Sequence, residues 1–167
     1  MKTEIETACY YSQNGITVTR STRGDAEHLK HNMRQCDKDE IWASHHFTPE
    51  QAVDYSIKKT IFCLTVKVAG VPAVMFGVNG ESILGHKGII WMLATDDINK
   101  INFRFARHSR HFVDMMLAFY PYLYNFVDAR NTLSIKWLKL LGAKFDTAKP
   151  HGVEQKMFRY FYFERGA

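Results

Sequence analysis

Apolar and polar positions follow two different periods along this chain, and the switches between the periods mark out its elements. "ITVTRST" from Ile16 alternates and is β-branched, which predicts a strand. "STRGDAEHLKHNM" then changes to helical spacing, with Ser21 or Thr22 as cap and Asp25 and Glu27 in the first turn. "FTPEQAVDYSIKKT" predicts a second helix: Thr48 is the cap, Pro49 stands first, and Gln51 at the third position completes a capping box. "TIFCLTVKVAG" and "VPAVMFGVNG" read as an antiparallel hairpin turning near Gly70, and "GIIWMLATDD" from Gly88 as a further strand. A long helical pattern runs from about Asn99 to Tyr120 and stops at Pro121. "LYNFVDA" is a short strand, "NTLSIKWLKLLG" a helix ending at Gly142, and "KMFRYFYFER" a terminal strand, with one more short strand around Lys144 to Thr147. The predicted order is β α α β β β α β α β. Helical crossovers between the later strands imply some parallel pairing, hence a mixed α/β (α+β) domain with a central mixed β-sheet flanked by helices.

Composition narrows this picture. The chain has 167 residues, 46% hydrophobic and 14% aromatic, enough for one packed core. Residues 1–15, with turn chemistry in "SQNG", are expected as an N-terminal extension, and 16–167 as a single domain. The net charge of +5, from 22 basic and 17 acidic side chains, permits an anionic ligand but does not by itself favour nucleic acid. Cys9, Cys36 and Cys63 are odd in number and widely spaced, which points to neither a disulfide framework nor a zinc site. No apolar run approaches the roughly 18 residues of a membrane span and no signal-like leader stands at the start. A cytoplasmic protein is expected, or one carried inside a particle that leaves the cell.

The order of elements, together with "DARNTLSIKWLKLLGAKF" from Asp128, resembles the GNAT N-acetyltransferase superfamily from about Ile16 to Glu164. In that family the strand before the last helix is followed by an Asn, then a small residue and a helix-ending Gly. Here these are Asn131, Ser134 and Gly142. A narrower set of stretches, "HNMRQCDKDEIWA", "WMLATDDINK", "FARHSRHFVDMM" and "NFVDARNTLSIKWLKLLGAKF", resembles the GNAT-like proteins of tailed phages. That group includes the internal virion protein A type of short-tailed phages. The resemblance implies acetyl-CoA as cofactor and no metal. It places Leu93, Ala94 and Thr95 on the cofactor-binding strand and Asn131 and Trp137 on the helix that closes over the pantetheine arm.

Two departures from the family pattern stand out. The glycine turn that cradles the pyrophosphate is missing, since no glycine occurs between Thr95 and Pro121. Arg104, Arg107 and Arg110 fall on neighbouring helical turns and are candidates to replace it through side-chain contacts; a solvated basic face is the alternative. The family's helix Tyr, which protonates the leaving thiolate, is here Leu138. Ser134 is a candidate near the thioester, although a hydroxyl at that place also bonds helix backbone. Asp96 is the best-placed candidate base, ahead of Glu81, Asp97 and His86. Asn131 also serves as an N-cap for the helix from Thr132, with or without a cofactor.

The adjacent His45 and His46 have no partner cluster for a metal. The terminal "FRYFYFE" suggests an aromatic platform for nucleic acid and, more simply, a buried strand. The readings that remain are three: an acetyl-CoA-dependent N-acetyltransferase, or a degenerate relative of one, acting on a protein amine; a non-catalytic internal virion or assembly protein that binds phage head or core proteins; and a factor that binds a host protein. Each would work in the host cytoplasm or the virion, and none involves a membrane.

Overall fold

A computed structural model describes residues 8–82 and 85–166. The expected extension is outside the described residues as far as residue 7, and so is the centre of the Gly80–Gly88 loop. Among the described residues a nine-stranded sheet runs β1-β2-β3-β4-β5-β6-β9-β7, with β8 also pairing β9. The strands are β1 (Cys9–Gln13), β2 (Ile16–Arg20), β3 (Thr60–Val68), β4 (Val71–Gly80), β5 (Lys87–Ala94), β6 (Tyr122–Asp128), β7 (Lys144–Phe145), β8 (Lys149–His151) and β9 (Lys156–Glu164). Among the described strands only β5 and β6 pair in parallel, so the sheet is mixed. The helices are α1 (Arg23–Asn32), α2 (Gln35–His45), α3 (Pro49–Lys59), α4 (Phe103–His108), α5 (Arg110–Phe119) and α6 (Thr132–Leu140).

Local chemistry accounts for the boundaries. Thr22, not Ser21, caps α1 and forms a capping box with Asp25; Thr48 and Gln51 form the box of α3. The hairpin between β3 and β4 turns through Ala69 and Gly70 at φ 48° and 81°, and Val68 faces Val71 across it. Two consecutive positive φ angles match the right-handed twist of the flanking strands. Asn131 caps α6 by accepting from the Ser134 amide, and Gly142 leaves the helix at φ 86°.

Four elements differ from expectation, one of them β8, a short strand against β9 where none was expected. Cys9–Gln13, placed in the extension, is a strand against β2. The segment after Met33, to which the sequence reading assigns no element, holds a full helix, α2. The single helix expected from Asn99 to Tyr120 is three pieces: a 3-10 turn over Asp96–Lys100, then α4, then α5. Side chains that compete for backbone groups cause these breaks. Asn102 takes the Phe105 amide, and the Ser109 hydroxyl donates to the Ala106 carbonyl at 2.6 Å.

Helices cover both faces of the sheet. On one face Leu29 and Val53 of α1 and α3 pack on Met75, Trp91 and Leu93. On the other, Phe105 and Phe112 pack on β2–β4, while Val113, Met116 and Leu117 pack on Leu123, Val127 and Phe161. Each fully buried aliphatic or aromatic side chain contributes about 2 kcal/mol.

Candidate functional site

The site grows out of an interruption in the sheet. β5 and β6 pair only over Lys87–Ile89 and Tyr122–Tyr124. Past that ladder β5 stays with β4 as far as Ala94, and β6 stays with β9 as far as Asp128. A wedge therefore opens between residues 90–94 and 125–128, and the backbone groups facing into it need partners.

The chain's own side chains supply them. At the apex, Asn125 donates to the Ile90 carbonyl at 2.7 Å and accepts from the Phe126 amide at 2.8 Å. At the wide end the partners come from α2. The Ala94 amide donates to Asp37 Oδ2 at 2.8 Å, and the Ala94 carbonyl accepts from the Arg34 amide at 2.9 Å. The Asp128 amide donates to Glu40 Oε2 at 3.1 Å. The three-residue spacing of Arg34, Asp37 and Glu40 places them on one side of α2, toward the wedge.

These charges form one network. Arg34 grips Asp37 through Nε and Nη2, both at 2.8 Å, and Nη2 also donates to Ser134 Oγ at 2.8 Å. Asn131 donates to Glu40 Oε2 at 3.1 Å while its own oxygen accepts from the Ser134 amide. Arg34 and Asp37 are each 4% exposed, and Arg34 Nη1 is buried without a partner. Burial pushes the Asp37 carboxyl up, and the Arg34 fork pulls it back. Glu40 keeps part of its surface open, yet burial of its carboxyl, with the Asp37 charge beside it, pushes it up to about 7. The bonds from Asn131 and the Asp128 amide only partly oppose that.

A cavity of about 530 Å³ adjoins this network and passes through the wedge, lined by residues 89–93 and 124–127 on its two edges and by Glu40, Tyr55, Phe112 and Trp137 on the two faces of the sheet. His45 and His151 also line it, and burial lowers both, which favours neutral imidazoles. Tyr124 donates to Glu81 at its rim at 2.9 Å. Burial, then that carboxylate, raise the phenol to about 12.

The residues expected from the sequence divide. Leu93, Asn131, Ser134 and Trp137 line the cavity. Trp137 donates to Ser109 Oγ at 3.1 Å, and Ser134 is held by Arg34. Ala94 and Thr95 are buried at the end of β5; the Thr95 amide donates to the Ala73 carbonyl, and its hydroxyl accepts from the Asp97 amide. Asp96 is exposed at the head of the 3-10 turn, outside the cavity lining. Arg104 and Arg107 are exposed on α4, and Arg110 lies beyond the break. Arg110 pairs with Asp114 and donates to the Leu141 carbonyl, so it closes the end of α6. Sequence reasoning missed Arg34, Asp37, Glu40 and Asn125. The available signal was an Arg, an Asp and a Glu at successive three-residue steps. Among the described residues no group of three or more metal-binding side chains occurs, and no helix is long and apolar enough to cross a membrane.

Known proteins define the fold as the GNAT acyltransferase fold. Ribosomal-protein-S5-alanine acetyltransferase from Vibrio fischeri superposes with a TM-score of 0.65 at 13% identity, covering 95% of this chain and 97% of that one. Spermidine N-acetyltransferase from Vibrio cholerae, in complex with CoA and spermine, gives 0.66 at 10% identity, covering 92% and 97%. A GNAT-family acetyltransferase from Bacillus anthracis gives 0.62 at 13%, covering 92% and 97%. Identities this low establish architecture, not activity. No curated protein sequence matches the chain. The family described as "Bacteriophage T7, probable scaffold protein Gp13" matches residues 63–149, just over half of the chain, and the chain belongs to that family.

Proposed function

We infer that this is a non-catalytic GNAT-fold protein of phage particle assembly, a structural partner of head or core proteins of the internal virion type. The observation that carries the reading is the end of β5, where the fold's enzymes would need an anion cradle. The Thr95 amide is taken by Ala73, the Thr95 and Asn102 side chains cap the turns that follow, and Asp96 and Asp97 add two carboxylates. A pyrophosphate there would meet amides already bonded and two carboxylates, of which Asp97 is paired with Lys100 at 2.7 Å. Arg104 and Arg107 lie in exposed positions on α4, and Arg110 is committed to α6. At the other end of such a cofactor, Leu138 stands where a proton donor would be needed. At the end of β5 these residues do not fit the pyrophosphate of acetyl-CoA.

The test is on particles. Mass spectrometry of purified virions and assembly intermediates is expected to find the protein in at least one of them. Its absence from both, with normal progeny from a deletion, would overturn the reading.

A second reading is favoured by the cavity and by Glu40. A carboxyl lifted to about 7 beside a cavity of about 530 Å³ has the properties of a general base for an amine. It requires acetyl-CoA to bind in calorimetry and transfer to an amine to collapse in Glu40→Gln. Silence with about 1 mM acetyl-CoA, a weak-binding concentration, decides against it.

A further inference from the structure

The wedge between β5 and β6 can be read in two ways: as an open slot for an extended ligand arm, or as a seam already filled. An arm bearing amides, running between two parted strands, must exchange hydrogen bonds with the backbone groups that face it. At the wide end those groups are the Ala94 amide and carbonyl on one side and the Asp128 amide on the other. All three are taken by α2, through Asp37, the Arg34 amide and Glu40.

We propose that the wide end of the wedge is fastened shut: α2 and its N-cap, through Asp37, Glu40 and the Arg34 amide, hold the backbone groups a strand-like ligand arm would need there and join the two halves of the sheet as an internal clasp, while the cavity continues between residues 89–93 and 124–127. Four further observations support this. α2 is also fastened at its C-terminal end, because the Val153 and Glu154 amides donate to the Ser44 and Ala43 carbonyls at 3.1 and 3.0 Å. Asp37 accepts three charge-assisted or backbone bonds, two from Arg34 and one from Ala94, so displacing it would strand a buried guanidinium. Arg34 in turn reaches Ser134, which links α2 to α6 across the seam. Asn131 holds Glu40 with its nitrogen and α6 with its oxygen, so the helix following β6 is part of the same fastening. Asp37 balances Arg34 and Glu40 is only partly ionised near neutral pH, so the seam offers no net positive charge to an anionic ligand.

The proposal goes beyond the assembly reading and is tested separately from it, by residue-resolved amide exchange on the full chain, free and with about 1 mM CoA, a concentration that reveals even weak binding. In the free protein the Ala94 and Asp128 amides are expected to exchange slowly and to be unchanged by CoA. Glu40→Ala is expected to accelerate Asp128 by about tenfold or more and to leave Phe126, held by Asn125, unchanged. Fast exchange at both amides in the free wild-type protein, or protection gained only on adding CoA, would overturn the clasp. If Glu40→Ala fails to fold, the wild-type comparison with and without CoA still decides. Particle composition does not enter this result, so the seam and the assembly role fail independently.

Discussion

Glu40→Gln turns the electrostatics of the seam into a number. The carboxyl moves from an ordinary 4.5 to about 7 because it is buried beside Asp37. A group whose pKa is higher folded than unfolded holds its proton more tightly in the folded state. Its favourable contribution is complete below about 4.5 and is lost as pH rises through about 7. At 1.36 kcal/mol for each tenfold change, the wild-type protein should lose about 3 kcal/mol across that window from this residue alone. Glutamine does not titrate, and with its oxygen in the place of Oε2 it can still accept from both the Asp128 amide and Asn131, its NH2 taking the place of Oε1 at a cost of at most about 1 kcal/mol. Other groups near the seam, Arg34, Asp37, Asp128, His45 and His151, are common to both proteins. Urea unfolding followed by tryptophan fluorescence from pH 4.5 to pH 8 should therefore give stability curves that converge or cross, with the variant gaining on the wild type as pH rises. Parallel curves, separated by a constant offset, would refute the assignment of a desolvated carboxyl at this position.

Three other substitutions test the surrounding framework. Arg34→Ala leaves Asp37 buried without its cation and should cost about 3–5 kcal/mol in urea unfolding, far more than an exposed arginine. Thr48→Ala removes one side of the α3 capping box and should lower stability by about 1 kcal/mol, measured by thermal unfolding. Gly152→Ala meets both a left-handed backbone, φ 74°, and a contact of 2.5 Å between the new Cβ and Ser44 Cα. It should destabilise by more than about 1 kcal/mol and weaken the amide protection of Val153 and Glu154, whose bonds end α2.

Local signals carried much of this architecture. Thr48, Pro49 and Gln51 announce α3 because capping chemistry acts over three residues. Asn131 announces α6 for the same reason, and Ala69–Gly70 announces the hairpin. α2 escaped detection because its inward side is charged: Arg34, Asp37 and Glu40 stand where an apolar stripe would normally betray a buried helix. Their partners, Ala94, Asp128, Asn131 and Ser134, lie 57 to 100 positions away along the chain, beyond any local pattern. The long helix at Asn99–Tyr120 was over-read because periodicity is blind to a hydroxyl such as Ser109 that bends the backbone. The candidate site was legible in its scaffold, Leu93, Asn131, Ser134 and Trp137, and illegible in the charges that fill it.

The short ladder between β5 and β6 also has a mechanical meaning. Within the sheet itself, three residue pairs and a handful of side-chain bonds connect one leaf, β1 to β5, with the other, β6 to β9, and the core beneath α5 packs Val78 and Ile90 of the first leaf with Leu123, Val127 and Phe161 of the second. A continuous strand pair resists shear along its whole length, whereas this junction concentrates load on Asn125, Asp37 and Glu40. Along the plane of the sheet, a force that pulls the leaves apart is carried there by a few discrete bolts, with the core beneath α5 as the remaining tie.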